Sequence, residues 1–120
     1  MARILIVDDS AMSRRILRRI LEEAGHEVAE AEEGMVAIEK YFLDKPDVVL
    51  LDLIMKGMFG IEVLQKIREM DKEARIVVAS ADIQKSTRTM TEAAGAAGFV
   101  TKPFVAAEIV AAVDAALKDR

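Results

Sequence analysis

The sequence predicts an α/β fold, a doubly wound parallel sheet of five strands with helices on both faces. Three observations carry this. Short β-rich apolar runs alternate with segments of helical spacing five times along the chain. Three of those runs, Ile4–Val7, Val48–Leu51 and Ile76–Ala79, are apolar at every position, as strands covered on both faces must be. Every pair of neighbouring runs is separated by a helix-length segment, and strand–helix alternation of this kind builds right-handed parallel crossovers.

The elements follow in order. The first run, Arg3–Val7, leads into a helix with Met12, Ile16, Leu17, Ile20, Leu21 and Ala24 on one side of the wheel and Arg14, Arg15, Arg18 and Arg19 on the other. Gly25 closes that helix. The second run, Glu27–Ala31, precedes a helix from Gly34 to about Phe42, expected to turn Met35, Ile38 and Phe42 inward before the Asp44-Lys45-Pro46 turn. The third run, Asp47–Leu51, precedes a helix from Ile61 to Met70 that buries Val63, Leu64 and Ile67. The fourth, Arg75–Ala79, is followed by a helix over Gln84–Ala94 that stops near Gly95 and Gly98. The fifth, Gly98–Thr101, gives way after Pro103 to a helix with Ile109, Val113 and Leu117 at i, i+4 and i+8, running nearly to Arg120. Five such units occupy the 120 residues, so the expectation is one domain, 1–120, with no output domain.

Composition removes several chemistries. Without cysteine there is no disulfide scaffold, thiol nucleophile or cysteine-bound zinc. The lone histidine, His26, follows the Gly25 turn and is read as exposed and without function; histidine-rich metal clusters are excluded. Aromatic residues are 4% and Trp is absent, against a base-stacking platform, and the net charge of −4 argues against a phosphate-backbone binder. The apolar start, Met1 to Val7, meets Asp8-Asp9 too soon for a signal peptide, and no stretch approaches the ~18–20 apolar residues of a membrane span. A cytoplasmic protein is expected, contacting neither nucleic acid nor membrane. Met12 and Met35, of seven methionines, are assigned to the core by their spacing, whereas Met55 and Met58 beside the strand-three end have no such explanation.

In open α/β sheets ligands bind beyond the carboxyl ends of the strands. Here those ends carry Asp8-Asp9, Asp52, Ser80 and Lys102-Pro103: three carboxylates, a hydroxyl and an ammonium from four strands. Each alone is an ordinary loop residue or helix cap. Together they are costly, because two carboxylates ~4 Å apart repel by about 4 kcal/mol at an effective dielectric near 20. A hard divalent cation relieves that repulsion, and Mg²⁺ takes carboxylates, carbonyls and phosphate oxygens. Mg²⁺, a lysine and a hydroxyl around a carboxylate make a phosphoryl-transfer constellation, in which an Asp can itself be the nucleophile. Asp52 stands alone at the end of the central run and is the candidate; Asp8 and Asp9 form the metal-holding pair.

Asp8-Asp9, Asp52-Leu53-Ile54-Met55-Lys56-Gly57-Met58-Phe59-Gly60, Ser80-Ala81 and Lys102-Pro103-Phe104 resemble, in order and spacing, the receiver domain of two-component response regulators, from Ala2 to about Lys118. The likeness is to a stand-alone, chemotaxis-regulator-like receiver. It implies a flavodoxin-like (β/α)5 fold with strand order 2-1-3-4-5. It also implies that Asp52 accepts a phosphoryl group from a sensor histidine kinase, a phosphotransfer protein or a small phosphodonor. Mg²⁺, with Mn²⁺ as a substitute, would be held by Asp8, Asp9, Asp52 and the Ile54 carbonyl. Ser80 and Lys102 would bind phosphoryl oxygens, Ala81, Asp82, Ile54 and Pro103 would flank the site, and the Lys102–Pro103 bond would be cis. Phe99 would be the aromatic switch that reshapes the face of the fourth helix, fifth strand and fifth helix for a downstream protein target. Such a protein catalyses only its own phosphotransfer and dephosphorylation.

Departures from the family pattern are Lys56 where Pro is frequent, Phe59 where a polar residue is usual, Ser80 for Thr, and Phe99 where Tyr is also common. Phe59 is expected to expose its ring, and apolar Ile54 to hinder hydrolytic water. The stripe Arg14-Arg15-Arg18-Arg19 is read first as a solvated helix face, and by resemblance as a kinase-docking surface. The alternative function is a receiver-like binding module that is never phosphorylated. A flavin protein is disfavoured by Asp8-Asp9 where its phosphate loop would lie, and a haloacid-dehalogenase-type phosphatase by Ile54 and Ser10 where a second Asp would follow.

Overall fold

A computed structural model describes residues 2–82 and 84–118 of the chain; Met1 and the expected helix end near Arg120 lie outside them. Five strands, β1 (Arg3–Val7), β2 (Glu27–Ala31), β3 (Val48–Leu51), β4 (Ile76–Ser80) and β5 (Gly98–Thr101), form one sheet in the order β2-β1-β3-β4-β5. Every neighbouring pair is parallel. The helices are α1 (Ala11–Glu23), α2 (Gly34–Asp44), α3 (Gly60–Met70), α4 (Lys85–Ala93) and α5 (Ala106–Lys118).

The apolar runs are continuous because each strand feeds two cores. Successive side chains point to opposite faces of a strand. Leu5, Val7, Val49, Leu51, Ile76 and Val78 therefore meet Ala37 and Tyr41 of α2 and Val63, Leu64 and Ile67 of α3. Ile4, Ile6, Val48, Leu50, Val77 and Ala79 meet Leu17 and Leu21 of α1 and Ile109, Val113 and Ala116 of α5. Each fully buried Leu or Ile contributes about 1.5–3 kcal/mol of transfer free energy. The central strands are thereby rigid platforms for whatever follows their ends.

Four inward assignments are corrected, among them Ala24, which is exposed just past the end of α1. Met12 and Ile16 are exposed at 68% and 42%. The buried stripe of α1 is Leu17 and Leu21 with Ile20 beside it, so burial along the helix begins only at Leu17. Met35 is 60% exposed. In α2 the buried pair at i, i+4 is Ala37 and Tyr41, with Phe42 half-buried against the Tyr41 ring. A small residue lets α2 approach the sheet, and the Tyr41 hydroxyl is satisfied by donating to Asp71 Oδ2 at 2.6 Å. His26 is half-buried rather than exposed, its Nδ1 accepting from the Ala2 N–H at 3.1 Å. Met55 belongs to the core, at 6% exposure.

Element ends shift by a residue or two where caps decide them. Ser10 caps α1, its hydroxyl oxygen accepting from Ser13 N–H. Lys45 adopts the left-handed conformation at the end of α2, and Gly95 does so after α4. At Gly60, the first residue of α3, the N–H donates to Leu53 O at 2.9 Å, and a Cβ there would come 2.5 Å from Leu53 Cα. Gly60→Ala is expected to force the β3–α3 loop outward and lower unfolding free energy by about 1–3 kcal/mol, measured by urea denaturation. Unchanged stability would show that the loop yields freely.

Candidate functional site

The strand ends that the sequence singled out converge at the carboxyl edge of the sheet. Asp8 and Asp52 directly follow β1 and β3, which are hydrogen-bonded neighbours in register, Val7 opposite Leu51. Asp8 N–H donates to Ala31 O and Asp52 N–H to Val7 O, so the ladder holds both residues one step past the strands. Asp8, Asp9 and Asp52 each offer a carboxylate oxygen, and these oxygens lie within 4.8 Å of one another. Asp8 and Asp52 are buried, at 1% and 6% exposure, while Asp9 is open to solvent.

Asp8 and Asp52 are oriented by the backbone of their own loops, and Asp9 by the backbone of the loop that follows Asp52. Asp8 Oδ1 accepts from Ser10 N–H at 2.9 Å, Asp52 Oδ1 from Ile54 N–H at 3.3 Å, and Asp9 Oδ2 from Lys56 N–H at 3.3 Å. Lys102, just past β5, reaches across β4 to the trio. Its Nζ donates to Asp52 Oδ2 at 3.2 Å and lies 3.1 Å from Asp8 Oδ2. That second contact is off the hydrogen-bonding direction, so Asp8 Oδ2 is buried with no hydrogen bond. The Lys102–Pro103 bond is cis.

One ammonium does not balance this much negative charge. Burial, then the charge of Asp8, pushes the Asp52 carboxyl above its ordinary value against the pull of Lys102. Burial works to lower Lys102, but its contact with Asp8 and the charges of Asp52 and Asp8 outweigh that and raise it. The Asp8 oxygen, whose partner is the shared Lys102 ammonium, and the all-oxygen donor set fit a small divalent cation such as Mg²⁺.

Ser80 ends β4 fully buried, its hydroxyl oxygen accepting from Asp82 N–H at 3.2 Å. The Asp82 carboxylate in turn accepts from Gln84 N–H and from the Thr87 hydroxyl at 2.7 Å, bonds that hold it below its ordinary value. This chain connects the sheet edge to the start of α4. Phe99 is half-buried on β5, with the Arg88 guanidinium 5.2 Å from its ring centre. Ile54 and Phe59 are exposed, at 65% and 64%, and Ala81 and Pro103 are also open to solvent.

The arginine stripe is not a uniformly solvated face. Arg15 and Arg19 are exposed, but Arg14 and Arg18 fold over the α1–β2 seam onto Glu30. Arg14, Thr87 and Arg88 carry contacts that spacing alone did not assign. Arg14 could have been suspected because it lies one turn into the helix that leaves Asp8.

The comparisons agree with this geometry. The family model for the response regulator receiver domain matches residues 4–114. The chemotaxis protein CheY of Bacillus subtilis is 44% identical over 116 residues, 96% of this chain and 97% of that protein. A two-component response regulator of the LuxR family from Aurantimonas superposes with a TM-score of 0.94 at 37% identity, covering 100% of this chain and 87% of that one. A CheX–CheY–BeF3–Mg²⁺ complex from Borrelia burgdorferi matches with a TM-score of 0.90 at 33% identity, covering 92% of this chain and 85% of that one.

A raised Asp52 means that the folded state holds this proton more tightly than the unfolded chain does. Ionising Asp52 therefore costs stability, a cost absent below the ordinary aspartate value and complete above the raised one. Asp52→Asn is expected to resist urea better than the wild type at pH 7, with the difference closing as pH falls toward 3.8, the ordinary value. A pH-independent difference would contradict this origin.

Proposed function

The chain belongs to the response regulator receiver family, and on that premise we propose that it is a phosphorylation-controlled switch whose phosphoacceptor is Asp52. A sensor histidine kinase, a phosphotransfer protein or a small acyl phosphate supplies the phosphoryl group. One carboxylate oxygen of Asp52 forms the bond to phosphorus as the bond from phosphorus to the donor breaks, and the electron pair leaves with the donor. The observation that carries this reading is the single ammonium of Lys102 set between the buried carboxylates of Asp8 and Asp52.

Roles follow from position. Lys102 already neutralises part of the charge at Asp52 and is placed to pair with a phosphoryl oxygen. The Ser80 hydroxyl accepts from Asp82 N–H, which leaves its own proton to donate to another. Asp8, Asp9 and Asp52, with the Ile54 carbonyl, would hold Mg²⁺ or Mn²⁺, which when bound supplies charge neutralisation to the transferring group. That the Borrelia complex contains Mg²⁺ supports the choice of ion.

The output travels through the contacts beyond Ser80. If Ser80 turns toward a phosphoryl group, Asp82 loses its hydroxyl acceptor, and Asp82 holds Thr87 of α4. Phe99 lies under Arg88 of the same helix and is the ring whose position reports the change. A downstream protein target would read the α4–β5–α5 face, as the two-state logic of such switches requires. Among the described residues no helix is long and apolar enough to cross a membrane, and the proposal places the protein in the cytoplasm.

Incubation with Mg²⁺ and a small acyl phosphate, followed by intact-mass measurement, tests the reading. The wild type should gain a phosphoryl adduct and Asp52→Asn should not. An equal adduct on the variant removes Asp52 as acceptor. No adduct on the wild type, even with a phosphorylated kinase, favours an unphosphorylated binding module. In the same assay Ile54→Asn should lose its adduct faster, since Ile54 is exposed beside Asp52; equal loss would show that the side chain does not hinder water.

A further inference from the structure

Besides the carboxylate oxygen that has no hydrogen bond, Asp8 has three polar atoms to satisfy, and the third is the informative one. Its N–H is held by Ala31 O and its Oδ1 by Ser10 N–H. Its main-chain carbonyl lies past the end of β1, where the β1–β2 and β1–β3 ladders stop at Val7. The donor comes instead from a side chain. Arg14 Nη1 donates to Asp8 O at 2.7 Å, while Arg14 Nε donates to Glu30 Oε1 at 3.0 Å. The Arg14 side chain is 14% exposed, unlike Arg19 at 81% on the same helix.

Glu30 is itself fixed on β2. Its other carboxylate oxygen accepts from Arg18 Nε, and its main-chain carbonyl accepts from Lys40 of α2. Glu30 thus stays ionised against partial burial, with both arginines on it. The planar guanidinium spans two fixed acceptors, the Glu30 carboxylate and the Asp8 carbonyl, which a lysine ammonium cannot do with the same fork. Among the described residues this bridge joins α1, β2 and the β1 end at one point.

We propose that Arg14 is a positioning residue for the acidic pocket, fixing the Asp8 backbone so that the Asp8 carboxylate is held ready for a divalent cation. The inference rests on the metal-binding reading above and deepens it. Charge alone predicts the opposite effect of the same substitution. Removing a cation that is bonded to the Asp8 main chain would raise the pocket's attraction for a metal, whereas losing the clamp frees the turn that aims the Asp8 carboxylate. Loss of an outer-shell partner typically weakens metal affinity by about 10–100-fold.

The test is direct Mn²⁺ binding, followed by the electron-paramagnetic-resonance signal of the free ion, alongside thermal unfolding. Arg14→Met is expected to bind Mn²⁺ about tenfold more weakly or worse. Arg14→Lys, which keeps the charge and loses the fork, should also bind more weakly. Arg15→Met, an exposed neighbour with the same loss of charge, should bind like the wild type or slightly tighter. Binding by Arg14→Met equal to or tighter than the wild type overturns the inference. If Arg14→Met does not fold, Arg14→Lys decides alone, and wild-type affinity in it overturns the inference. A wild type that binds no Mn²⁺ overturns the metal reading itself, and the inference with it.

Discussion

The structure turns on a repulsion. Asp8, Asp9 and Asp52 bring carboxylate oxygens within 4.8 Å, and two of the three residues are buried. An isolated carboxylate is expensive to bury, and neighbours of like sign make it more so. The chain answers with Lys102, whose Nζ touches both buried carboxylates, and leaves Asp8 Oδ2 without a hydrogen bond. The site therefore has an unfilled demand for positive charge, which a divalent cation would meet.

Such a site survives only on a stiff frame. The strands that end at Asp8, Asp52 and Ser80 are buried on both faces, and neighbouring strands keep strict register. Lys102 reaches the trio because β5 pairs with β4 as far as Ser80 and Thr101, and Lys102 N–H then donates to Ser80 O. Gly60 lets α3 begin close under the Asp52 loop. The apolar packing supplies the stability that the acidic edge consumes, a division expected where function requires a locally unfavourable arrangement.

The fold was legible because its signal is redundant. Ile4–Val7, Val48–Leu51 and Ile76–Ala79 are apolar without a break, and only two-sided burial explains that. The site was legible for a related reason, since a residue that ends a buried strand has its position set by the strand. Strand order came through family resemblance, because parallel crossovers of similar length allow several orders. Helix facing was less legible. Met12 and Met35 match the core spacing, yet Leu17, Leu21, Ala37 and Tyr41 take the buried positions. Wheel position says nothing about where a helix overhangs the sheet. Arg14 was misread for a similar reason: its chain is long enough to leave the solvent face and meet Glu30 and Asp8 O, and a wheel records only where a side chain starts.

Asp52 is a carboxylate pressed upward by burial and by Asp8, and the proposed Mg²⁺ would relieve that pressure. The most direct measurement is a pH titration of the Asp52 carboxyl carbon by NMR, with and without Mg²⁺. The account predicts a midpoint above the ordinary aspartate value in the metal-free protein, falling when Mg²⁺ is added. An ordinary midpoint that Mg²⁺ does not move would contradict it.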